Sequence, residues 1–413
     1  MDLPRGMRVR FGDMLRQARS AKGMSQAELG AGQYSTHYIS LLERGERQPT
    51  PEMVQHFAAV LGMDAQTLNW WVEPTSASNA AVLAAAMHDA SNARDLHDDD
   101  LTASEAENAA SIAKDQGNMA AWWSMAALHA QALVALRRLD EADIVLRSLR
   151  DSAFVSQKTD LLVLVLGRQS AVLRSRGNLP EAVRLARTAV DAAASLPYHS
   201  VVRLEAVFVL LAALSLQGRL DEAWDLATEL HLADPDPALP SRLVGWGAWV
   251  VGNIAFRRGD IEIGLTQHRL ASRLLLAKTD VESWAHFHSA SAAMRLSAGI
   301  TDDEVKESIQ NAELGFRICG TNQQRQEIKV HEAYFYVRSG EFDLAGPLLA
   351  DAEAADYTLD FEIASLLERL LGEFHAHQGD TLRSRKHFRN AIRLFEDAGA
   401  PESAAEVREL MGR

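Results

Sequence analysis

Cysteine occurs once in the 413 residues, at Cys319, so no intrachain disulfide is available and the chain suits a reducing cytoplasm. Long apolar runs are missing too. The densest, Leu161–Leu166, falls far short of the roughly 18 residues that cross a bilayer, and no membrane partner is expected. Arg5, Arg8 and Arg10 are not followed by an apolar segment, which argues against a signal peptide. Residue patterns that carry chemistry are equally scarce. There is no Walker loop, no HExxH and no dinucleotide fingerprint. His286 and His288, like His375 and His377, stand two apart and would project about 200° apart on a helix, a poor geometry for sharing a metal. The run Asp98-Asp99-Asp100 reads as a loop ending in a helix cap. The expectation is a protein that is not an enzyme and holds neither cofactor nor metal.

What is present is apolar and acidic. A hydrophobic fraction of 47% excludes a disordered chain, and the length exceeds one compact core. The net charge of −14 argues at first against nucleic acid, but its distribution matters more. Residues 1–73 hold eight bases and eight acids, so the remainder carries the whole deficit, while residues 1–23 hold six bases against two acids. An acidic body with a basic tip still suits DNA, because the body repels phosphate and orients the approach.

The N-terminal segment reads as five short helices. Phe11, Met14, Leu15 and Ala18 share one face of a first helix over about Phe11–Lys22, and Gly23 stands at its C′ position. Ser25-Gln26-Ala27-Glu28 is a capping box that opens a second helix, with Ala27 and Leu29 inward. A tight turn over Gly30–Tyr34 follows, its glycines allowing positive φ. Ser35 caps a third helix that buries Ile39 and Leu42 and stops at Gly45. Thr50-Pro51 opens a fourth helix ending near Gly62, and Asp64 caps a short fifth with Trp70 and Trp71. This order describes a helix-turn-helix bundle.

These residues resemble the XRE-type helix-turn-helix domain of phage repressors and many bacterial regulators. The resemblance rests on LRQAR, MSQAEL, YISLLERG and the proline-bearing entry to helix four, and it covers about residues 9–72. The turn after helix two is one residue shorter than the common form. The resemblance implies double-stranded DNA as partner. It implies that Gln26 meets a phosphate, that Thr36, His37, Ser40 and Leu41 face the major groove, and that Arg44 and Arg47 hold the backbone. It also implies that Arg19 and Glu43 tie helix one to helix three. A bundle that mediates protein contacts instead is the alternative, since the base-facing candidates include no Asn, Gln or Arg.

Residues 74–79 are polar and proline-bearing and read as a linker between a domain at 1–73 and another at 80–413. Beyond them a Gly-x-hydrophobic-x-x-Ala pattern recurs at Gly177, Gly218, Gly259, Gly299, Gly340 and Gly379, with Arg137 opening the series. The period of about 40 residues marks a helical solenoid. Small residues seven positions before the glycine (Ala130, Ser170, Gly252, Ala292, Ala333, Gly372) mark where paired helices pack closely. The expected fold is all-α, the bundle followed by a right-handed solenoid. Seven units span about residues 119–400, after an extra helix pair at 80–116 and before a closing helix from Pro401.

This pattern resembles the tetratricopeptide repeat with lengthened helices. The whole architecture is similar to the peptide-sensing RRNPP-type (quorum-sensing) regulators. The resemblance implies a concave groove facing a peptide or small effector. On its register Trp246, Trp249, Asn253, Phe256, Arg257, His286, Tyr334 and Arg338 line or flank that groove, and Asn253 has an amide suited to a ligand's peptide backbone. Packing is the alternative role for the tryptophans, and solvation for the charged groups. Three roles remain for the repeats: sensing an effector, binding a protein partner, or forming a homodimer alone.

Overall fold

The computed structural model describes residues 10–234, 236–355 and 358–412, so Arg5 and Arg8 of the basic tip lie outside it. Among the described residues all regular structure is α-helical, in 22 helices. They form two compact units, one running to Asp89 and including Ile112–Gly117, the other made of Ala90–Ser111 and the chain from Asn118 onward.

The first unit begins with α1 (Arg10–Ala21), α2 (Gln26–Gly30), α3 (Thr36–Glu43) and α4 (Pro51–Leu61), and α5 (Ala65–Asp95) follows. Its core encloses the expected Leu15, Leu29, Ile39 and Leu42 fully, together with Phe57, Leu61 and Leu68. Caps set the boundaries. Ser25 accepts from the Glu28 amide while Glu28 accepts from the Ser25 amide, and Ser35 and Thr50 cap α3 and α4. Three details depart from the sequence reading. Ala27 is exposed. The turn after α2 takes its left-handed residues at Ala31 and Gly32, whereas Gly30 ends the helix. The stretch at 74–79, read as a linker, is helical within α5. Pro74 has a helical φ but forgoes a backbone hydrogen bond, and the helix formers on either side carry α5 through it.

The second unit repeats one hairpin. After α6 (Asp99–Asp115) come the pairs α7 (Met119–Ala135) with α8 (Leu139–Arg150), and α10 (Thr159–Ser175) with α11 (Leu179–Ala193). The one-turn α9 (Ala153–Ser156) stands between them. Next are α12 (Val201–Leu216) with α13 (Leu220–Glu229), α14 (Ser241–Arg258) with α15 (Ile261–Leu274), and α16 (Val281–Ser297) with α17 (Asp303–Cys319). Last are α18 (Asn322–Ser339) with α19 (Phe342–Ala354), α20 (Phe361–His377) with α21 (Thr381–Ala398), and the closing α22 (Pro401–Gly412). First helices stack on one another: α10 on α12, α12 on α14, α14 on α16, α16 on α18 and α18 on α20.

Every hairpin turn in the series is left-handed. The six motif glycines have φ between 75° and 87°, and Arg137 adopts 59°. His97, forty residues before Arg137, takes φ 54° between α5 and α6, so the same turn recurs with a histidine where the sequence pattern showed nothing. The small residues ahead of the turns serve close approach. A side chain at Gly252 would run into the His268 ring, and a Cβ at Gly372 would stand 2.6 Å from the Phe388 ring.

Within this unit the early repeats meet the late ones. Arg137 Nη2 donates to Glu327 Oε1 at 2.5 Å, with Asp360 at 3.8 Å, and Arg257 pairs with Glu362 at 2.8 Å. Phe361 packs with Leu179, Leu216, Ala398 and Ala400, its ring filling the place a side chain at Gly177 would take. Burying a phenylalanine contributes about 1.5–3 kcal/mol, so the solenoid turns back on itself through an apolar as well as an ionic contact.

Candidate functional site

Two regions carry the residues singled out by sequence. In the first unit, α2, its turn and α3 make the helix-turn-helix. Arg19 from α1 donates through Nε and Nη2 to the Glu43 carboxylate, at 2.5 and 3.1 Å, and through Nη1 to the Met24 carbonyl at 2.6 Å. Glu43 is buried, so this fork fixes the end of α3 against α1. Gly12 allows the approach: a Cβ there would stand 2.7 Å from the Glu43 carbonyl oxygen. On the other side Tyr34 closes the turn on α4, its ring 5.0 Å from His56 and 5.7 Å from Phe57.

With α3 so held, Thr36, His37, Arg44 and Arg47 are exposed, and Ser40 and Leu41 are half-buried beside them. Arg47 makes no ion pair among the described residues, so its exposed guanidinium is open to an anion. Arg44 donates to Ser40 Oγ at 2.5 Å and pairs with Glu46 at 2.7 Å. Such an exposed pair is worth about 0–1 kcal/mol, so a phosphate can displace Glu46. Gln26 is also tied to this support: its amide nitrogen donates to Glu43 Oε2 at 2.9 Å and joins the fork that positions α3.

In the second unit the eight groove residues lie on three first helices, α14, α16 and α18. Trp246 lies under the Arg242 guanidinium at 4.2 Å, and Trp249 meets Phe287 edge-on at 5.9 Å with its indole N–H buried and unpartnered. Asn253 Oδ1 accepts from His268 Nε2 at 3.1 Å, leaving the amide nitrogen without a partner among the described residues. Phe256 does not belong to a groove. It is buried between α14 and α15, because Gly264 opposite has no side chain and the Phe256 ring occupies that space. His286 takes a hydrogen bond from the Gln324 amide at 3.1 Å, and burial lowers its pKa to about 4. Tyr334 is enclosed between the Arg338 and Arg369 guanidiniums, each 5.1 Å from its ring centre, and Arg369 donates to its hydroxyl at 2.6 Å. Arg338 forks onto Glu373 at 3.0 and 3.2 Å, and Arg257 is spent on Glu362. Tyr334 and Arg338 are therefore partnered within the protein.

A cavity of about 200 Å³ lies elsewhere, between α15, α16 and α17. Its lining is polar: His268, Arg269, Ser272, Arg273, His288, Ser291, Arg295 and Ser308, with Phe287. Sequence reasoning passed over it because the residues come from three helices. A signal was available, since His288, Ser291 and Arg295 place a polar stripe at helical spacing where a packed hairpin needs apolar groups.

Residues 10–71 match the helix-turn-helix domain model, and this part of the chain is a helix-turn-helix domain. No curated protein matches the chain. Among solved structures it is similar to PlcR of Bacillus thuringiensis in complex with the peptide PapR7 and DNA, at 12% identity and TM-score 0.30, over 79% of this chain and 98% of that one. It is also similar to the Rap conjugation gene regulator of plasmid pLS20 in complex with the Phr* peptide, at 13% identity and TM-score 0.47, over 95% and 97%. A tetratricopeptide repeat protein from Parabacteroides merdae matches at 13% identity and TM-score 0.38, over 75% and 99%.

Proposed function

We propose that this protein is a sequence-specific DNA-binding transcriptional regulator of the cytoplasm, whose repeat unit senses an effector and joins two copies. The observation that carries the reading is the presentation of α3. A buried fork from Arg19 to Glu43 fixes the helix, while Thr36, His37, Arg44 and Arg47 remain on its open side. An exposed recognition helix on a rigid support is what reading base edges in a major groove requires. One such domain reads one half-site. The reading therefore includes a homodimer with half-sites about one helical turn, roughly 34 Å, or a multiple apart.

The groove reading is a peptide or other small effector near α14. The unpartnered Trp249 N–H and the free Asn253 amide nitrogen support it, because both offer donors that the protein leaves unused. An effector shifts DNA affinity only by its differential affinity for two states, about 1–3 kcal/mol in typical cases.

Selection from a random-sequence duplex pool tests the DNA reading on the full-length protein. The wild type should enrich a reproducible motif. The triple variant Thr36→Ala, His37→Ala, Ser40→Ala should keep its helix content and lose that enrichment. Recovery of the same motif by the triple variant would overturn the assignment. Arg47→Ala should weaken binding to all duplexes alike and reduce the slope of log affinity against log salt by about one phosphate contact. An unchanged slope would remove Arg47 from the interface.

A further inference from the structure

The polar cavity between α15, α16 and α17 is the feature of the second unit that packing does not explain. Four residues before the turn, the earlier hairpins bury Leu133, Leu173, Leu214 and Ala255, whereas here Arg295 takes that place, and it and His288 are more than nine-tenths buried. Both line the cavity, and both keep a buried nitrogen without a partner, Nε of Arg295 and Nδ1 of His288. A buried donor left unpaired is costly, a charged one most of all, so an acceptor is called for. Arg269 and Arg273 stand one turn apart on α15 at the exposed rim and form no ion pair among the described residues. The acid that reaches the cluster is Glu304. It is engaged with Arg295 Nη1 at 2.5 Å and also acts on Arg269. Three guanidiniums against one carboxylate leave the site cationic.

We infer that this cavity binds the phosphate group of a small ligand, with Arg269, Arg273 and Arg295 supplying charge and His288 a buried donor. The size supports a small ligand. A volume of about 200 Å³ lies below the roughly 300–1,000 Å³ of drug-sized sites but holds a phosphate with a short substituent. The donor set supports a phosphate over a carboxylate. Three forked cations and an imidazole come from two helices, with the Ser308 hydroxyl from a third, which suits a tetrahedral group with several oxygens better than a planar group with two. The histidines enter as neutral rings. Burial first, and then Arg295, lowers His268 to about 3 and His288 to about 4. His268 is already committed, donating from Nε2 to Asn253 and taking the Ser291 hydroxyl at Nδ1, while His288 Nδ1 is free to donate. This proposal does not rest on DNA binding and stands or falls separately.

Calorimetric titration of the full-length protein tests it, with inorganic phosphate and glycerol 3-phosphate as probes at constant ionic strength, and acetate and chloride as controls. Saturable binding of either phosphate probe is expected, with the tighter one identifying whether a free or an esterified phosphate is preferred. The double variant Arg269→Ala, Arg273→Ala removes only exposed side chains. It should unfold at the wild-type temperature and bind phosphate at least about tenfold more weakly. His288→Phe keeps a ring in the same space and should weaken phosphate binding without restoring it for acetate. Failure of both phosphate probes to bind, equal binding of acetate, or undiminished affinity in the double variant would each overturn the inference.

Discussion

The position of the DNA-facing residues depends on three side chains that do not face outward. Arg19, Glu43 and Gln26 form one hydrogen-bonded set, with Glu43 at its buried centre. Removing one partner of a buried ion pair is costlier than never having had the pair, because the remaining charge stays desolvated. Arg19→Met should therefore destabilise the α1–α3 contact by about 3 kcal/mol. Hydrogen exchange of the full chain, read on peptides covering α3, should show protection falling by about a hundredfold. Unchanged protection would mean that apolar packing alone holds α3. This pair was legible in the sequence because LRQAR and LLERG carry the family resemblance at fixed spacing. Phe256 was not legible. Its burial is decided by Gly264 on the next helix, a neighbour that repeat register does not reveal.

At the scale of helices, the repeat was readable because its turn has a backbone requirement. Left-handed φ costs an L-residue about 1–2 kcal/mol, so glycine recurs at six of the hairpin turns. Gly259 isolates that cost. Its φ is 87°, and no atom lies within 4 Å of where a Cβ would stand. Gly259→Ala should thus lower stability by about 1–2 kcal/mol, seen as a lower urea midpoint with an unchanged slope. A wild-type midpoint would show that the turn relaxes freely. The same rule explains what sequence missed. His97 and Arg137 make the turn without glycine, so the pair at 80–116 was legible as two helices but not as a member of the repeat. The proline-bearing stretch at 74–79 reads as irregular for the opposite reason: an interior Pro74 costs α5 a backbone hydrogen bond, yet the helix formers on both sides carry the helix through it.

At the scale of the second unit, histidines buried across successive repeats make stability depend on acid. His268, His286, His288 and His331 ordinarily titrate near 6.5, and burial holds the first to about 3 and the other three to about 4. The unfolded chain takes up protons near 6.5 while the native chain refuses them until far lower. The contribution of each is therefore complete above 6.5 and lost as pH falls toward 4, at about 1.4 kcal/mol per pH unit per histidine. Carboxyls oppose this. Burial raises Asp99 to about 6 and moves Glu205, Glu282, Glu327 and Glu332 upward, so these groups accept protons more readily in the folded chain. Four histidines displaced so far outweigh one aspartate moved from 3.8 and the smaller changes at the glutamates. The melting temperature, followed by far-UV circular dichroism, should fall steeply from about pH 6.5 to about pH 4.5. A flat profile over that window would mean that the rings are hydrated or that the carboxyls compensate fully. His331→Asn separates the two. Against a flat wild-type profile it should raise stability at acid pH if the carboxyls compensate and change nothing if the rings are hydrated.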